Sequence, residues 1–203
     1  MLPRGTLLIP ALLFTGAAIA GSTTSDPSSA LRSPDSFAGI ADRTERSRAM
    51  FDEMARVIQH PRCLNCHPAT REPLQRDLER HQPAVSMDKQ SRALECQTCH
   101  HEHNTPTFAG GIASIPGAHG WKLAPASMSW VGKSRREICQ ALKDPAKNGK
   151  RDLAAIHEHM AQDHLVGWAW HPGGTLGPAP GTQASFGALV QAWIDTGAAC
   201  PAA

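Results

Sequence analysis

Four of the six cysteines occur as two C-x-x-C pairs, and a histidine follows each pair directly. Residues 63–67 read C-L-N-C-H, and residues 96–100 read C-Q-T-C-H. On a helical turn, positions i, i+3 and i+4 share one face, so both sulfurs and the imidazole of each motif would point the same way. This pattern is the attachment signature of c-type haem, in which the two thiols bond to the porphyrin and the histidine binds the iron. The motifs therefore predict two haem c groups, with thioether positions Cys63, Cys66, Cys96 and Cys99 and proximal iron ligands His67 and His100.

A structural zinc site is the main alternative, because two C-x-x-C pairs can supply four thiolates. The 29 residues between Cys66 and Cys96 exceed the usual spacing of a zinc ribbon. Zinc also gives no reason for a histidine directly after both pairs. A thioredoxin-type redox motif would need a βαβ context, which the sequence does not show. Haem attachment explains more of the pattern than either alternative.

The distal ligand decides whether an iron only passes electrons or also binds small molecules. Met128, in the loop GWKLAPASMSW, and His81, between the two motifs, are the first two candidates. Their alternatives are a methionine that fills a gap between two tryptophans and a surface histidine. In the helical stretch IHEHM, periodicity places His157 nearer the apolar face and His159 at its margin. His159 is the third candidate.

The first twenty residues predict export. Arg4 is followed by an apolar run from Leu7 to Ala20, which ends in the small-x-small pattern Ala18-Ile19-Ala20. The run is shorter than the ~20 apolar residues of a membrane span. We expect residues 1–20 to be a cleaved signal peptide, with a periplasmic mature protein that has no stable membrane span.

Composition and patterning predict an all-α fold of cytochrome c-like helices with long loops around two covalently bound haems. Only 5% of residues are aromatic, tyrosine is absent, and 16 prolines and 17 glycines indicate many loops. Residues 21–40, rich in serine, predict a flexible linker, and residues 41–203 a single dihaem domain. Within this domain, helices are predicted over 41–59, 134–142, 152–162 and 182–197, and loops over 68–95 and 104–133.

Cysteine arithmetic leaves Cys139 and Cys200 once the haem motifs are assigned. In an oxidising compartment, these two are expected to form a disulfide.

The formal net charge of +2 gives no indication of nucleic-acid binding.

Longer stretches resemble a known family. HPRCLNCHP, CQTCHHEHN, GWKLAPASMSWVGKS, ICQALKDPAKNG, LVGWAWHPGG and WIDTGAACP are similar to the small dihaem c-type cytochromes labelled isoquinoline 1-oxidoreductase subunits. The likeness covers about residues 50 to 201. It implies a molybdenum hydroxylase as electron donor, and it favours His159 over His157 as an iron ligand. The chain has no molybdopterin or iron–sulfur motif of its own.

The sequence therefore predicts a periplasmic electron carrier, not an enzyme. It would accept electrons from a periplasmic dehydrogenase and pass them to a cytochrome or oxidase of the respiratory chain. The alternative is a small dihaem peroxidase with one open iron site, for which Glu102 and His103 are the conceivable acid–base groups.

Overall fold

The computed structural model describes residues 29–87, 95–107 and 113–202. The predicted signal peptide lies outside these residues. The helices are α1 (Arg43–Ile58), α2 (Pro61–Leu64), α3 (Arg135–Lys143), α4 (Leu153–Gln162), α5 (His164–Gly167) and α6 (Gln183–Asp195). Short 3₁₀ helices lie at Pro34–Phe37, Cys96–Thr98, Ala126–Met128 and Trp168–Trp170.

Side-chain caps define where the long helices begin. The Asp42 carboxylate accepts from the Glu45 amide at the start of α1, and the Asp152 carboxylate accepts from the Ala155 amide at the start of α4. α3 begins with the predicted capping box, in which Ser134 and Glu137 satisfy one another's backbone amides. The four predicted helices are present with bounds close to those expected.

The core lies where α1 and α4 pack against α6. The rings of Phe51 on α1 and Trp193 on α6 lie 5.4 Å apart between centroids, and both side chains are fully buried. Leu189 and Val190 complete the same face of α6. This apolar stripe is the one that the helical periodicity of the sequence predicts.

The prediction of an all-α fold is wrong, because the structure also contains two small antiparallel sheets. Strands β1 (Leu74–Gln75) and β2 (Glu79–Arg80) form a hairpin, and β3 (His103–Pro106) pairs with β4 (Ser114–Ala118). Two-residue strands are too short to show a period-2 pattern, and β4 contains proline and glycine, which are uncommon in strands. The fold is therefore mixed, with helices predominating and sheets in segments predicted to be loops.

Gly117 permits the close pairing of β3 and β4. A Cβ atom at this position would lie 2.2 Å from the carbonyl oxygen of His103, closer than any side chain can approach. Pairing is irregular between His103 and Thr105, where the register shifts. This sheet carries Pro116, whose carbonyl oxygen accepts a hydrogen bond from the motif histidine His100.

Part of the stretch predicted to be a flexible linker is folded. Residues 29–40 lie against the helices, and Phe37 is 1% exposed. The Arg32 amide donates to the Glu53 carboxylate at 3.0 Å, and the Arg32 guanidinium lies over the Phe37 ring. Serine and proline content indicated a flexible linker, whereas the apolar side chains of Leu31, Phe37 and Ile40 pack this segment against the core.

Cys139 on α3 and Cys200 beyond α6 form the expected disulfide. The bond closes a loop with a sequence separation of 61 residues and fixes the C-terminal segment to the core. Within the described residues, no helix has the length and apolar character needed to cross a membrane.

Candidate functional site

Each C-x-x-C-H motif lies on a single helical turn. In the first motif, the amides of Cys66 and His67 both donate to the carbonyl of Cys63, at 3.1 and 3.2 Å. In the second motif, the amides of Cys99 and His100 donate to the carbonyl of Cys96 in the same way, at 3.2 and 2.9 Å. The turn places both sulfurs and the imidazole of each motif on one face, as the spacing predicts.

The two motifs face two adjoining cavities. The cavity of about 1030 Å³, here called the Cys63 cavity, is lined by Cys63, Cys66 and His67, and also by Met128 and His159. The cavity of about 940 Å³, here called the Cys96 cavity, is lined by Cys96, Cys99 and His100, and also by His81. Both volumes include space that is open to solvent, so each cavity is a cleft with access from outside.

His67 is held in one orientation. Its Nδ1 donates to the carbonyl oxygen of Met128 at 2.6 Å, and its ring stacks on Trp130 at 3.4 Å between centroids. Burial, with a smaller contribution from nearby His159, lowers the pKa of His67 to about 4, although the hydrogen bond to the Met128 carbonyl works in the opposite direction. His67 is thus a neutral imidazole whose Nε2 has a free lone pair, the form that binds a metal ion.

His100 repeats this arrangement with different partners. Its Nδ1 donates to the carbonyl oxygen of Pro116 on β4 at 2.7 Å, and its ring stacks on Trp121 at 4.6 Å. Burial lowers the pKa of His100, and the neighbouring histidines 81 and 101 add to that effect. The β3–β4 sheet therefore supplies the acceptor that fixes this imidazole.

One loop carries both stacking tryptophans. Residues 121–131 begin at Trp121, whose carbonyl accepts from the Gln97 side chain in the second motif. The loop continues past the first motif, where the Ala124 amide donates to Cys66 and the Trp130 amide donates to His67. Sequence reasoning used this loop only to present Met128, but its pair of tryptophans is the feature that could have identified it as a support for both histidines.

His81 lies opposite His100 across the Cys96 cavity. The two ring centroids are 5.8 Å apart, and the rings are inclined at 55°. The Nδ1 of His81 donates to the carbonyl of Pro83 at 2.8 Å, which leaves Nε2 free. A metal ion bound by two imidazole nitrogens at about 2 Å each separates the ring centroids by about 6 Å. The observed separation fits that value.

His159 on α4 lines the Cys63 cavity together with His67. Its Nδ1 is 3.0 Å from the Asp163 carboxylate, which fixes the ring and leaves Nε2 free. Burial works to raise the pKa of Asp163, but hydrogen bonds from the Leu165 amide and from His159 hold it below its ordinary value. His157 has a different environment, since its Nε2 lies 4.0 Å from where a Cβ on Gly187 of α6 would be. His157 therefore lies on the apolar face of α4 because it packs against α6.

Met128 is buried and lines the Cys63 cavity. Its backbone carbonyl is the acceptor for His67, so this residue is on the same side of the cavity as the proximal imidazole. The sequence offered no indication of this backbone role.

Both thiols of the first motif are buried and poorly ionised. Burial raises the pKa of Cys63 to about 12 and that of Cys66 to about 11. The neighbouring thiol Cys66 also raises the pKa of Cys63, and Cys96 also raises that of Cys66. Both groups are therefore neutral thiols at pH 7 when nothing is bound to them. In the part of the chain that the structure describes, no group of three or more His, Cys, Asp or Glu residues is arranged to hold a metal ion.

The two cavities share a wall made by Cys66, Lys122, Leu123 and Trp168. Trp168 contacts the edge of Trp121 at 5.1 Å, and its indole N–H donates to the Asn104 side chain at 3.0 Å. Groups bound in the two cavities would therefore be close neighbours.

Glu102 and His103, the residues considered for peroxidase chemistry, line a separate open cavity with His119 and Trp168. Glu102 forms an exposed ion pair with His119 at 3.0 Å. Neither residue is among those that line the Cys63 or Cys96 cavity in the described structure.

Comparisons with known proteins gave no match: no protein-family model, no curated protein and no solved structure is similar to this chain.

Proposed function

We propose that this protein is a periplasmic dihaem c-type cytochrome that transfers electrons. The observation that carries the proposal is a pattern of four imidazoles. In each cavity, two cysteines accompany two histidines whose Nδ1 atoms are bound to acceptors and whose Nε2 atoms are free. This donor set fits haem c with an axial histidine on each side of the iron. The ligand pairs are His67 with His159 and His100 with His81.

His159 is a better distal ligand than Met128 in this proposal. The Asp163 carboxylate orients His159, whereas the Met128 carbonyl orients the proximal His67. A carboxylate bound to the second ring nitrogen also raises the basicity of a ligating imidazole. Two imidazole ligands give a lower reduction potential than a methionine ligand would, because methionine raises it.

When bound, haem c supplies a one-electron couple between ferric and ferrous iron. The residues of this chain hold the axial imidazoles in fixed orientations, through Nδ1 hydrogen bonds and stacking on Trp121 and Trp130. These contacts would hold the imidazoles in the same orientation in either oxidation state of a bound haem. The apolar walls of the Cys63 cavity, which include Ile58 and Phe186, limit the access of water.

The shared wall supports transfer of electrons between the two sites. Only a few side chains separate the cavities, and one of them is Trp168. An electron could enter at one site and leave at the other without crossing the helical core. One haem would thus serve as the entry site for electrons and the other as the exit site.

The compartment and the partners follow from the sequence. Residues 1–20 have the pattern of a signal peptide, and haem attachment belongs to the same exported setting as the disulfide. The resemblance to isoquinoline 1-oxidoreductase subunits points to a molybdenum hydroxylase as donor. The acceptor would be a cytochrome or oxidase of the respiratory chain.

Carbon monoxide tests the electron-carrier proposal. Both axial positions of both irons are expected to be filled, so reduced protein should show c-type absorption bands that carbon monoxide does not change. Near-infrared magnetic circular dichroism of the oxidised protein should then report bis-histidine ligation. Rapid binding of carbon monoxide, or turnover of hydrogen peroxide by the reduced protein, would favour the peroxidase alternative.

A further inference from the structure

Arg62 is a buried cation with unused donors. Its side chain is 1% exposed, and its Nη2 donates to the carbonyl of Arg76 and to the Asp77 carboxylate. Its Nε and Nη1 are buried and have no hydrogen-bond partner among the described residues. A buried charged donor without an acceptor costs free energy, so an acceptor that the protein chain does not provide is expected here.

Trp130 has the same deficiency on the same cavity. Its indole nitrogen is buried and has no acceptor among the described residues, while its ring stacks on His67. Arg62 and Trp130 both line the Cys63 cavity. Two residues with unsatisfied donors of different type therefore line one cavity.

The charge of the Cys63 cavity indicates what the acceptor is. Its described lining includes three cationic side chains, Arg62, Lys122 and Arg151, and no aspartate or glutamate. Asp77 lies outside this lining and offsets the charge of Arg62, so the excess positive charge comes from Lys122 and Arg151. A carboxylate would accept hydrogen bonds from both orphaned donors and offset the charge, and arginine is well suited to bind it.

We propose that Arg62 and Trp130 form a carboxylate-binding site that holds a propionate side chain of the haem in the Cys63 cavity. This inference rests on the proposed function. The site would fix the orientation of the porphyrin from its acidic edge, in addition to the thioether and histidine bonds. Arg62 would join this propionate to the β1–β2 hairpin, because its Nη2 already holds that hairpin through Arg76 and Asp77.

Redox-difference infrared spectroscopy tests the site with protein that carries haem ¹³C-labelled at the propionate carboxyl groups. Arg62→Met removes the charge at similar length, Arg62→Lys keeps it, and Trp130→Phe removes only the N–H while retaining a stacking ring. We expect Arg62→Met and Trp130→Phe to shift a labelled carboxylate band. Loss of the cation should also raise the propionate pKa, so the pH range over which the reduction potential changes should move upward in Arg62→Met.

Asp77→Asn is the matched control, because it removes the ion pair of Arg62 and leaves the guanidinium and its bond to the Arg76 carbonyl in place. It should leave the labelled bands where they are.

Labelled bands that are identical in wild type, Arg62→Met and Trp130→Phe would overturn the inference. The inference would also be overturned if added acetate shifted the reduction potential while the labelled bands stayed unchanged. A free carboxylate would then fill the site. Haem content is measured first by pyridine haemochrome: its absence in wild type contradicts the proposed function, whereas two haems with unshifted bands contradict only the propionate site.

Discussion

At the scale of single residues, the site depends on which nitrogen of each histidine is occupied. Backbone carbonyls accept from the Nδ1 atoms of His67, His100 and His81, and a carboxylate holds that of His159. Fixing Nδ1 determines the tautomer, so Nε2 is left as the metal-binding atom in all four. The orienting partners are therefore as much a part of the site as the ligands.

Replacing His159 by alanine is expected to open one iron to small molecules. Reduced His159→Ala protein should bind one carbon monoxide per molecule, because the axial position opposite His67 loses its ligand. The absorption spectrum on addition of carbon monoxide measures this. His157→Ala is the control, since it lies on the same helix but faces Gly187. Carbon monoxide binding by His157→Ala and not by His159→Ala would contradict the assignment.

The sequence was sufficient to predict that each C-x-x-C-H motif forms one helical turn, because its spacing is local. It could not give the partners of the imidazoles. The acceptor of His67 is a carbonyl 61 residues away, and any residue type can supply a carbonyl. Met128 was a distal candidate because of its thioether side chain. In the structure, its specific contact is made by the backbone carbonyl, which accepts from His67.

At the scale of elements, each half of the site depends on a different support. α4 presents His159 to the Cys63 cavity, and the β3–β4 sheet presents the Pro116 carbonyl to His100. The helices were predictable because apolar positions repeat with a period of 3.6 residues. The sheets were not, because β1 and β2 have two residues each and β4 contains a proline and a glycine.

Gly117→Ala should disturb one site and spare the other. The added Cβ would overlap the His103 carbonyl, so β4 must move and Pro116 with it. We expect a loss of stability of about 1–3 kcal/mol and partial loss of low-spin character at one haem of two. Thermal unfolding and electron paramagnetic resonance measure these changes. Gly39→Ala, where no atom lies within 4 Å of the added Cβ, should match wild type. Equal spectra for both variants would contradict the role of the sheet.

The capping box of α3 predicts a pH-dependent contribution to stability. The Ser134 amide, the Lys133 ammonium and the Ser134 hydroxyl lower the pKa of Glu137 from 4.5 to about 2. The ionised carboxylate thus stabilises the folded protein fully above pH 4.5, and this contribution is lost as the pH falls toward 2. Glu137→Gln should have a lower Tm than wild type at pH 7, and the difference should close near pH 2.

Glu158→Gln provides the comparison for the capping box, because it removes an exposed carboxylate from the middle of α4. Its Tm difference from wild type should be smaller at pH 7. A Glu137→Gln difference that stays constant between pH 7 and pH 2 would show that the carboxylate charge is not what stabilises α3.

At the scale of the whole molecule, the chain is a helical core with two large cavities along one side. Phe51 and Trp193 form that core together with the apolar faces of α1, α4 and α6, and the disulfide fixes the C-terminus to it. The all-α prediction failed because it treated every segment without helical periodicity as loop. Those segments carry the sheets and the loop 121–131, which are the parts that enclose the cavities.

Removing the disulfide should weaken the whole domain without changing haem ligation. On the loop-entropy model, the 61-residue separation corresponds to about 4 kcal/mol. The double variant Cys139→Ala/Cys200→Ala should unfold at correspondingly lower denaturant concentration, with the visible spectrum of wild type. Unchanged stability would mean that the bond contributes nothing to the fold. A changed spectrum would mean that the core and the cavities are coupled more tightly than their separation implies.

The central claim is that each sulfur pair carries one covalently attached haem, and the mass of the mature protein tests it most directly. Protein from a host with cytochrome maturation machinery should weigh as much as its polypeptide plus two haems. A Cys63→Ala/Cys66→Ala variant should weigh as much as its polypeptide plus one. A wild-type mass equal to that of the bare polypeptide would contradict the account.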